Sequence, residues 1–129
     1  MRFIIALLRS LLVSLGFIPR PDLLVKVIPN HPVPESMEPG WIYVVGENGY
    51  RKWAYFRCPA DPKEIIQLSL MPNRRPRWDL AIDFLHLPTV HPSVRQLDGT
   101  HAHFWIKRGT VEWCEDSGRK PFHIGTGKS

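Results

Sequence analysis

The feature that most limits how this chain folds is its frequency of proline and glycine. Thirteen Pro and nine Gly are spread over 129 residues. Proline breaks the interior of a helix or a central strand, and glycine weakens both. The segments left between these residues are short, which favours strands joined by turns over a helical bundle. We therefore expect a mainly β protein.

Seven or eight segments carry the apolar and β-branched residues typical of strands, and turn-forming residues bound most of them. They cover residues 22–28, 41–45, 50–57, 64–70, 78–85, 89–96, 100–106 and 110–114. Asn48-Gly49 predicts a tight hairpin turn between the second and third segments. This pattern predicts a compact antiparallel β domain over residues 21–116. Residues 117–129 are predicted to be a flexible tail.

Residues 1–20 are interpreted as an N-terminal amphipathic helix, with its helical part at about 2–15. Arg2 and Arg9 are seven residues apart, so they share one helical face. The helix is interpreted first as packing on its own domain or on a partner. A peripheral contact with a membrane surface is an alternative. Arg9 interrupts the apolar run and Pro19-Arg20-Pro21 follows it, which argues against a signal peptide.

The overall composition is that of one globular domain. Hydrophobic residues make up 43% and charged residues 22% of the chain, which argues against disorder. A net charge of +5 permits an acidic partner or a membrane surface but does not by itself indicate nucleic acid. The two cysteines, Cys58 and Cys114, form no CxxC pair, which favours a reducing, cytoplasmic location. A single disulfide between them stays an alternative.

The polar groups concentrate between residues 91 and 106, where two predicted strands form a hairpin. A three-residue loop at 97–99 places Gly99 where a left-handed conformation is needed. This register pairs Arg95 with His101 and Ser93 with His103. Alternation then directs these side chains to one face and four apolar ones to the core: Val94, Ala102, Phe104 and Ile106.

A serine opposite a histidine is the minimal arrangement for an activated nucleophile, because a neutral hydroxyl needs a base to take its proton. His103 is predicted as the base, since His101 faces Arg95 in this register. A third group normally fixes the histidine tautomer. Asp79, Asp83 and Asp98 are the candidates for this role, the sequence does not rank them, and a site without a third group stays open.

Two other interpretations of this hairpin stay open. The Ser93–His103 pair is compatible with an ordinary polar surface contact. His101 and His103 together with Cys58 or Cys114 are compatible with a zinc site, although no CxxC or HExxH motif supports one. The basic loop at 73–77 is compatible with a solvated turn or with a docking patch for an acidic or extended partner.

An ordered set of segments resembles a known family, the BubE-type proteins of bacterial ubiquitination-like (Bub) operons. The resemblance covers about 39–113. It rests on residues 40–45, Cys58-Pro59, 68–70, Arg77-Trp78, 89–94, 103–106 and 109–113. The family resembles serine-type deubiquitinases, and Ser93 and His103 match its pattern. Many relatives carry a cysteine-rich stretch at 58–63 and a Cys at the position of Thr100. The resemblance therefore implies that this chain has lost a structural zinc site.

The resemblance implies a serine hydrolase that cuts after the C-terminal glycine of a bacterial ubiquitin-like protein. Ser93 and His103 are its expected catalytic residues, and neither metal nor cofactor is expected. The substrate-binding residues are predicted to be Arg75, Arg77, Trp78, His101 and Trp105. The expected partners are the ubiquitin-like protein and the E1-like and E2-like proteins. Nucleic acid is not expected as a partner. The alternative is a non-catalytic module that binds these proteins.

Overall fold

The computed structural model describes residues 2–47, 49–97 and 99–119. Helix α1 (Arg2–Ser14) comes first, and a 3₁₀ turn (Pro34–Ser36) lies in the connector before the second strand. Eight strands follow the predicted segments: β1 (Leu24–Ile28), β2 (Trp41–Glu47), β3 (Tyr50–Arg57), β4 (Ile65–Ser69), β5 (Asp79–Ile82), β6 (Pro88–Arg95), β7 (His103–Lys107) and β8 (Thr110–Trp113). The prediction of a mainly β chain with one N-terminal helix is confirmed.

The strands form two four-stranded sheets, in the orders β1-β2-β3-β4 and β5-β6-β7-β8. All neighbours are antiparallel except β1 and β2, which run parallel. A long connector joins β1 to β2, because a parallel neighbour must start at the same edge of the sheet as β1. The order of the strands in each sheet is therefore their order in the chain.

The core lies between the two sheets and is built by alternation along their strands. Phe56 of β3 and Phe104 of β7 are fully buried, and their rings meet edge to face with centroids 6.2 Å apart. The predicted inward face of the second sheet is confirmed, because its four apolar members are all buried: Val94, Ala102, Phe104 and Ile106. This burial leaves the alternate residues of β6 and β7 on the outer face.

Helix α1 packs with Arg9 turned inward. The Arg9 guanidinium donates a hydrogen bond to the carbonyl oxygen of Leu85 at 3.0 Å. The large apolar side chains on the other side of the helix are exposed. Within the three described ranges, no helix is long and apolar enough to span a bilayer.

Candidate active site

The site is built where β6 departs from regular pairing with β7. Val90 pairs with Ile106 and Val94 pairs with Phe104, so three residues on β6 face a single residue on β7. This bulge displaces Ser93 from the ladder. Bulges re-aim side chains in this way and are frequent beside active sites.

The predicted register of this hairpin is wrong by two residues. Arg95 pairs with His103 and not with His101. The N–H of Gln96 donates to the carbonyl of Ala102, so the loop is longer than the three residues expected. Gly99 is left-handed as predicted, with φ of 64°, but His101 is left-handed too, with φ of 55°. A second left-handed residue lengthens the loop and shifts the strand.

The structure nevertheless brings Ser93 and His103 together. Ser93 Oγ lies 2.9 Å from His103 Nε2. In a regular ladder this register would leave the two residues diagonal to each other. The bulge on β6 brings Ser93 to the position from which its hydroxyl reaches the imidazole. The side chain of His103 is 18% exposed, so the ring is largely enclosed.

The third group is Asp116, which the sequence analysis did not consider. His103 Nδ1 lies 2.6 Å from Asp116 Oδ1. A carboxylate only accepts hydrogen bonds, so Nδ1 carries the proton and Nε2 is free to accept from the Ser93 hydroxyl. The hydrogen bond from His103 lowers the pKa of the Asp116 carboxyl, and a second hydrogen bond from Arg95 adds to the effect. Asp116 therefore stays ionised near neutral pH.

Arg95 holds the other side of this carboxylate. Its guanidinium donates to Asp116 Oδ2 while Oδ1 receives the proton of His103. The same guanidinium nitrogen lies 2.9 Å from His103 Nδ1. Because Nδ1 already donates to Asp116, it has no lone pair for Arg95. The useful contact of Arg95 is therefore with the carboxylate, which it fixes in place.

The turn after β8 carries Asp116 to the site. The N–H of Cys114 donates to the carbonyl of His103 at 2.9 Å, and the Ser117 hydroxyl accepts from the N–H of His103 at 3.0 Å. The Gly118 N–H donates to the carbonyl of His101 at 2.9 Å. These three bonds fasten the turn along the start of β7, so Asp116 faces the imidazole.

A sequence signal for Asp116 does exist. A two-residue turn at Arg108-Gly109 fixes the β7–β8 register, in which Lys107 faces Thr110. Counting back along this hairpin places Cys114 opposite His103. Asp116 is two residues further and returns to the same face by alternation.

The aspartates predicted for the third position do not contact His103 in the part of the chain that the structure describes. Asp79 pairs with Arg77 at 2.9 Å on the surface. Asp83 accepts hydrogen bonds from backbone N–H groups of its own loop and forms an ion pair with Arg108. Neither contacts His103, and Asp98 lies outside the described residues. The carboxylate that contacts His103 is therefore that of Asp116, not that of Asp79 or Asp83.

The predicted substrate-binding residues differ in how close they come to Ser93. The indole N–H of Trp78 donates to the Ser93 carbonyl at 3.2 Å. Trp105 shares the outer face of β7 with His103, and its ring lies 5.9 Å from that of His91. His101 adjoins the site through the backbone, and its Nδ1 is buried without a partner among the described residues.

The two predicted arginines make their contacts with groups other than Ser93. Arg75 donates to carbonyl groups of its own loop, and Arg77 is occupied by its ion pair with Asp79. A groove of about 210 Å³ continues from Trp78 under this basic loop. It is lined by Trp53, Gln67, Ser69, Arg74, Arg75, Pro76 and Trp78. The site therefore has an open, cationic and aromatic approach on one side.

The residues at the position of the implied lost zinc site do not fit a metal. Cys58 Sγ lies 3.8 Å from Thr100 Oγ1, so these two positions are neighbours as the resemblance implies. The Glu64 carboxylate accepts from the Thr100 hydroxyl at 2.9 Å and from the Gln96 amide at 2.8 Å. Hydrogen bonds around Glu64 close the loop where relatives are expected to carry thiols.

A different group of possible metal ligands lies at the candidate site itself. His103, Cys114 and Asp116 have donor atoms within 4.8 Å of one another. Burial, together with the charge of Asp116, raises the pKa of the Cys114 thiol, which keeps it protonated. The Arg95 guanidinium adds a positive charge beside the same atoms. Both features oppose a cation, whereas they are compatible with a Ser–His–Asp arrangement.

Comparison with known proteins places the chain in a family. A family model described as BubE, the bacterial ubiquitination-like system serine protease, matches residues 29–114. The chain belongs to this family. The match confirms the resemblance found in the sequence, and it contains both Ser93 and His103, while Asp116 lies just beyond it.

The BubE family description names a serine protease of a bacterial ubiquitination-like system. A comparison with curated proteins finds no match, and neither does a comparison with solved structures. The assignment of chemistry to individual residues therefore depends on the geometry of this chain.

Proposed function

We propose that this chain is a serine peptidase that cleaves the bond after the C-terminal glycine of a bacterial ubiquitin-like protein. The observation that carries the proposal is the continuous chain of hydrogen bonds from Ser93 through His103 to Asp116, with distances of 2.9 and 2.6 Å. The family description supports a serine protease in this type of system. Cleavage after glycine comes from the resemblance found in the sequence.

The reaction proceeds through an acyl-enzyme. His103 Nε2 takes the Ser93 proton as Oγ attacks the carbonyl carbon, which gives a tetrahedral intermediate. The imidazolium then gives this proton to the leaving amine, and the C–N bond breaks. A water molecule attacks the ester while His103 takes one of its protons and returns it to Ser93 Oγ. The products are a free C-terminal carboxylate, an amine and the restored serine.

The positive charge that forms on His103 during each step is balanced by Asp116. The carboxylate accepts the Nδ1 proton throughout, so it keeps one tautomer and one ring orientation. Its lowered pKa ensures that it is charged when the imidazolium forms. Arg95 acts as a positioning residue in this proposal, because it contacts Asp116 and acts on the substrate only through that carboxylate.

In this proposal two indoles select for glycine. Trp78 is held against the Ser93 carbonyl, and Trp105 lies on the same outer face of β7 as His103. Bulky rings at these positions favour a chain that has no side chain near the cut bond. Arg75 and Arg77 flank the approach and suit acidic groups on the body of the ubiquitin-like protein. His101 shapes the loop end of this site.

The decisive test uses purified chain and the cognate ubiquitin-like protein fused at its C-terminal glycine to a reporter. Cleavage at the junction, with a covalent fluorophosphonate adduct on Ser93, supports the proposal. Tight binding of the fusion with neither cleavage nor adduct would establish the binding module instead. The conjugating partners, E1-like and E2-like, are then tested for binding to the same chain.

Asp116→Asn is expected to lower kcat/KM by about 10³- to 10⁴-fold, because an amide can present the wrong hydrogen-bonding group to Nδ1. The matched control is Asp79→Asn, which removes a carboxylate from an exposed ion pair. That control should change the rate by less than about threefold. An equal loss in both variants would remove Asp116 from the proposed site.

Arg95→Gln is expected to lower kcat/KM by about 10- to 100-fold, because Asp116 loses the partner that fixes it beside His103. The pKa of Asp116 is lowered in the native chain, first by the hydrogen bond from His103 and also by the one from Arg95, so its charge is lost only as the pH falls through that lowered value. Without Arg95 the Asp116 carboxyl should titrate at a higher pH, which an NMR titration of its carboxyl carbon measures. Arg108→Gln, which breaks the ion pair with Asp83, is the matched control. An Asp116 carboxyl that titrates at the native pH in Arg95→Gln would leave Arg95 with a structural role alone.

A further inference from the structure

We propose that the outer face of helix α1 binds the surface of an anionic lipid bilayer. The proposal is independent of the peptidase function, since it uses none of the residues around Ser93. It starts from the orientation of the helix: Arg9 faces the protein, and a stripe of large apolar side chains faces outward.

The outward face of α1 is continuous and apolar. Its exposed large side chains recur at the helical spacings of three and four residues: Phe3, Ile4, Leu7, Leu8 and Leu11. Phe3 is 74% exposed and Leu11 is 54% exposed. Leu15 and Phe17 extend this surface past the end of the helix, and Phe17 is 74% exposed. A contiguous apolar surface of this kind indicates a partner.

The inward side of α1 is anchored by Arg9, whose hydrogen bond holds the helix in the orientation that exposes its apolar face. Arg9 donates to the Leu85 carbonyl. Ala6 and Arg9 border a groove against β1, and Ser10 and Ser14 border a second groove with Arg20. The outward apolar face is therefore a property of the docked helix.

The charge around this face selects an anionic partner. The two grooves beside α1 are lined by two exposed cations, Arg20 and Lys26, together with the inward-facing Arg9, and the lining residues that the structure describes include no carboxylate. The sequence of α1 contains no acidic residue either. An apolar stripe with flanking cations is the pattern of a helix that lies in the plane of a membrane. Each exposed cation near an anionic surface adds to the attraction.

A second copy of the chain suits this face less well. A two-fold contact would bring the same cations of both copies together, and the lining residues provide no carboxylate to pair with them. The α1 helix is too short to cross a bilayer, with 13 residues. Binding is therefore in the interfacial plane, with the apolar side chains at the boundary between headgroups and acyl chains.

The test is flotation of the full chain with vesicles of phosphatidylcholine alone and with vesicles of phosphatidylcholine and phosphatidylglycerol at about two to one. The double variant Leu7→Glu/Leu11→Glu is compared with the matched control Val33→Glu/Tyr50→Glu, whose two positions are also exposed and lie outside α1. We expect binding to the anionic vesicles, reduced at least about tenfold in the α1 variant and unchanged in the control.

Vesicle binding by the native chain is sufficient to test the proposal, whatever the results with the variants. Absence of binding to anionic vesicles, or equal binding to both compositions, would contradict it. A concentration-dependent dimer of the native chain that the α1 substitutions dissociate would assign the face to a second copy. Equal loss of binding in both double variants would attribute binding to net charge and would also overturn the assignment.

Discussion

Replacing Ser93 with alanine is expected to abolish cleavage of the ubiquitin-like fusion, with a fall in kcat of at least about 10⁴-fold. No other group in the hydrogen-bonded chain supplies the attacking oxygen, and a protonated Cys114 thiol is a poor substitute. The variant should bind the fusion as tightly as the native chain does, because the lost hydroxyl makes its bond to His103. Cleavage of the fusion and binding of the uncut fusion are measured separately.

The control for this variant is Ser36→Ala, since Ser36 is an exposed serine whose hydroxyl donates to the Val33 carbonyl. Both variants lose one hydrogen bond of a serine hydroxyl, so each should change the free energy of unfolding by no more than about 1.5 kcal/mol. Chemical denaturation checks this. Cleavage at the native rate by Ser93→Ala, or a fluorophosphonate adduct that persists on it, would contradict the proposed nucleophile.

His103→Gln is expected to lower kcat by at least about 10⁴-fold, whereas His101→Gln should lower it by no more than about tenfold. Only His103 contacts both Ser93 and Asp116, and glutamine can hydrogen bond there but cannot carry a proton between them. The two histidines are two residues apart, which makes each variant the matched control for the other. Both are assayed with the same fusion, and binding of the fusion is measured alongside.

A larger loss of kcat in His101→Gln than in His103→Gln would contradict the assignment of His103 as the base. It would also contradict the bulge geometry that brings Ser93 to His103. Loss of binding in both variants with retained cleavage at saturating fusion would instead make the histidines substrate contacts. The adduct test on Ser93 separates these results, because a serine without its base should also react slowly with a fluorophosphonate.

The pairing of Ser93 with His103 was predictable because both residues occur on strands of one hairpin and on its solvent-facing side. The predicted register of the hairpin was wrong, however. A regular ladder would place Ser93 directly opposite His103, whereas Arg95 takes that place. The bulge on β6 compensates for the shift. A bulge and a lengthened loop each change the register, so their effects combine in a way that alternation alone does not reveal.

Asp116 was missed because its role depends on a turn that docks against a neighbouring strand. Asp116 is the last residue of the predicted domain, directly before the segment that is predicted to be a flexible tail. Hydrogen bonds between this turn and residues His101 and His103 hold Asp116 in place. Counting along the Arg108-Gly109 hairpin predicts the face on which Asp116 lies, but not that the turn closes onto the imidazole.

The sequence by itself determined the positions of the helix and the strands, the buried face of the second sheet and the family. These follow from proline and glycine spacing, from period-two alternation and from an ordered set of segments, all of which are local. The tertiary structure alone decided the bulge that aims Ser93, the carboxylate that reaches His103 and the inward direction of Arg9 on α1. Each of these depends on hydrogen bonds between segments distant in the chain, whose geometry is fixed only when the sheets and the helix pack together.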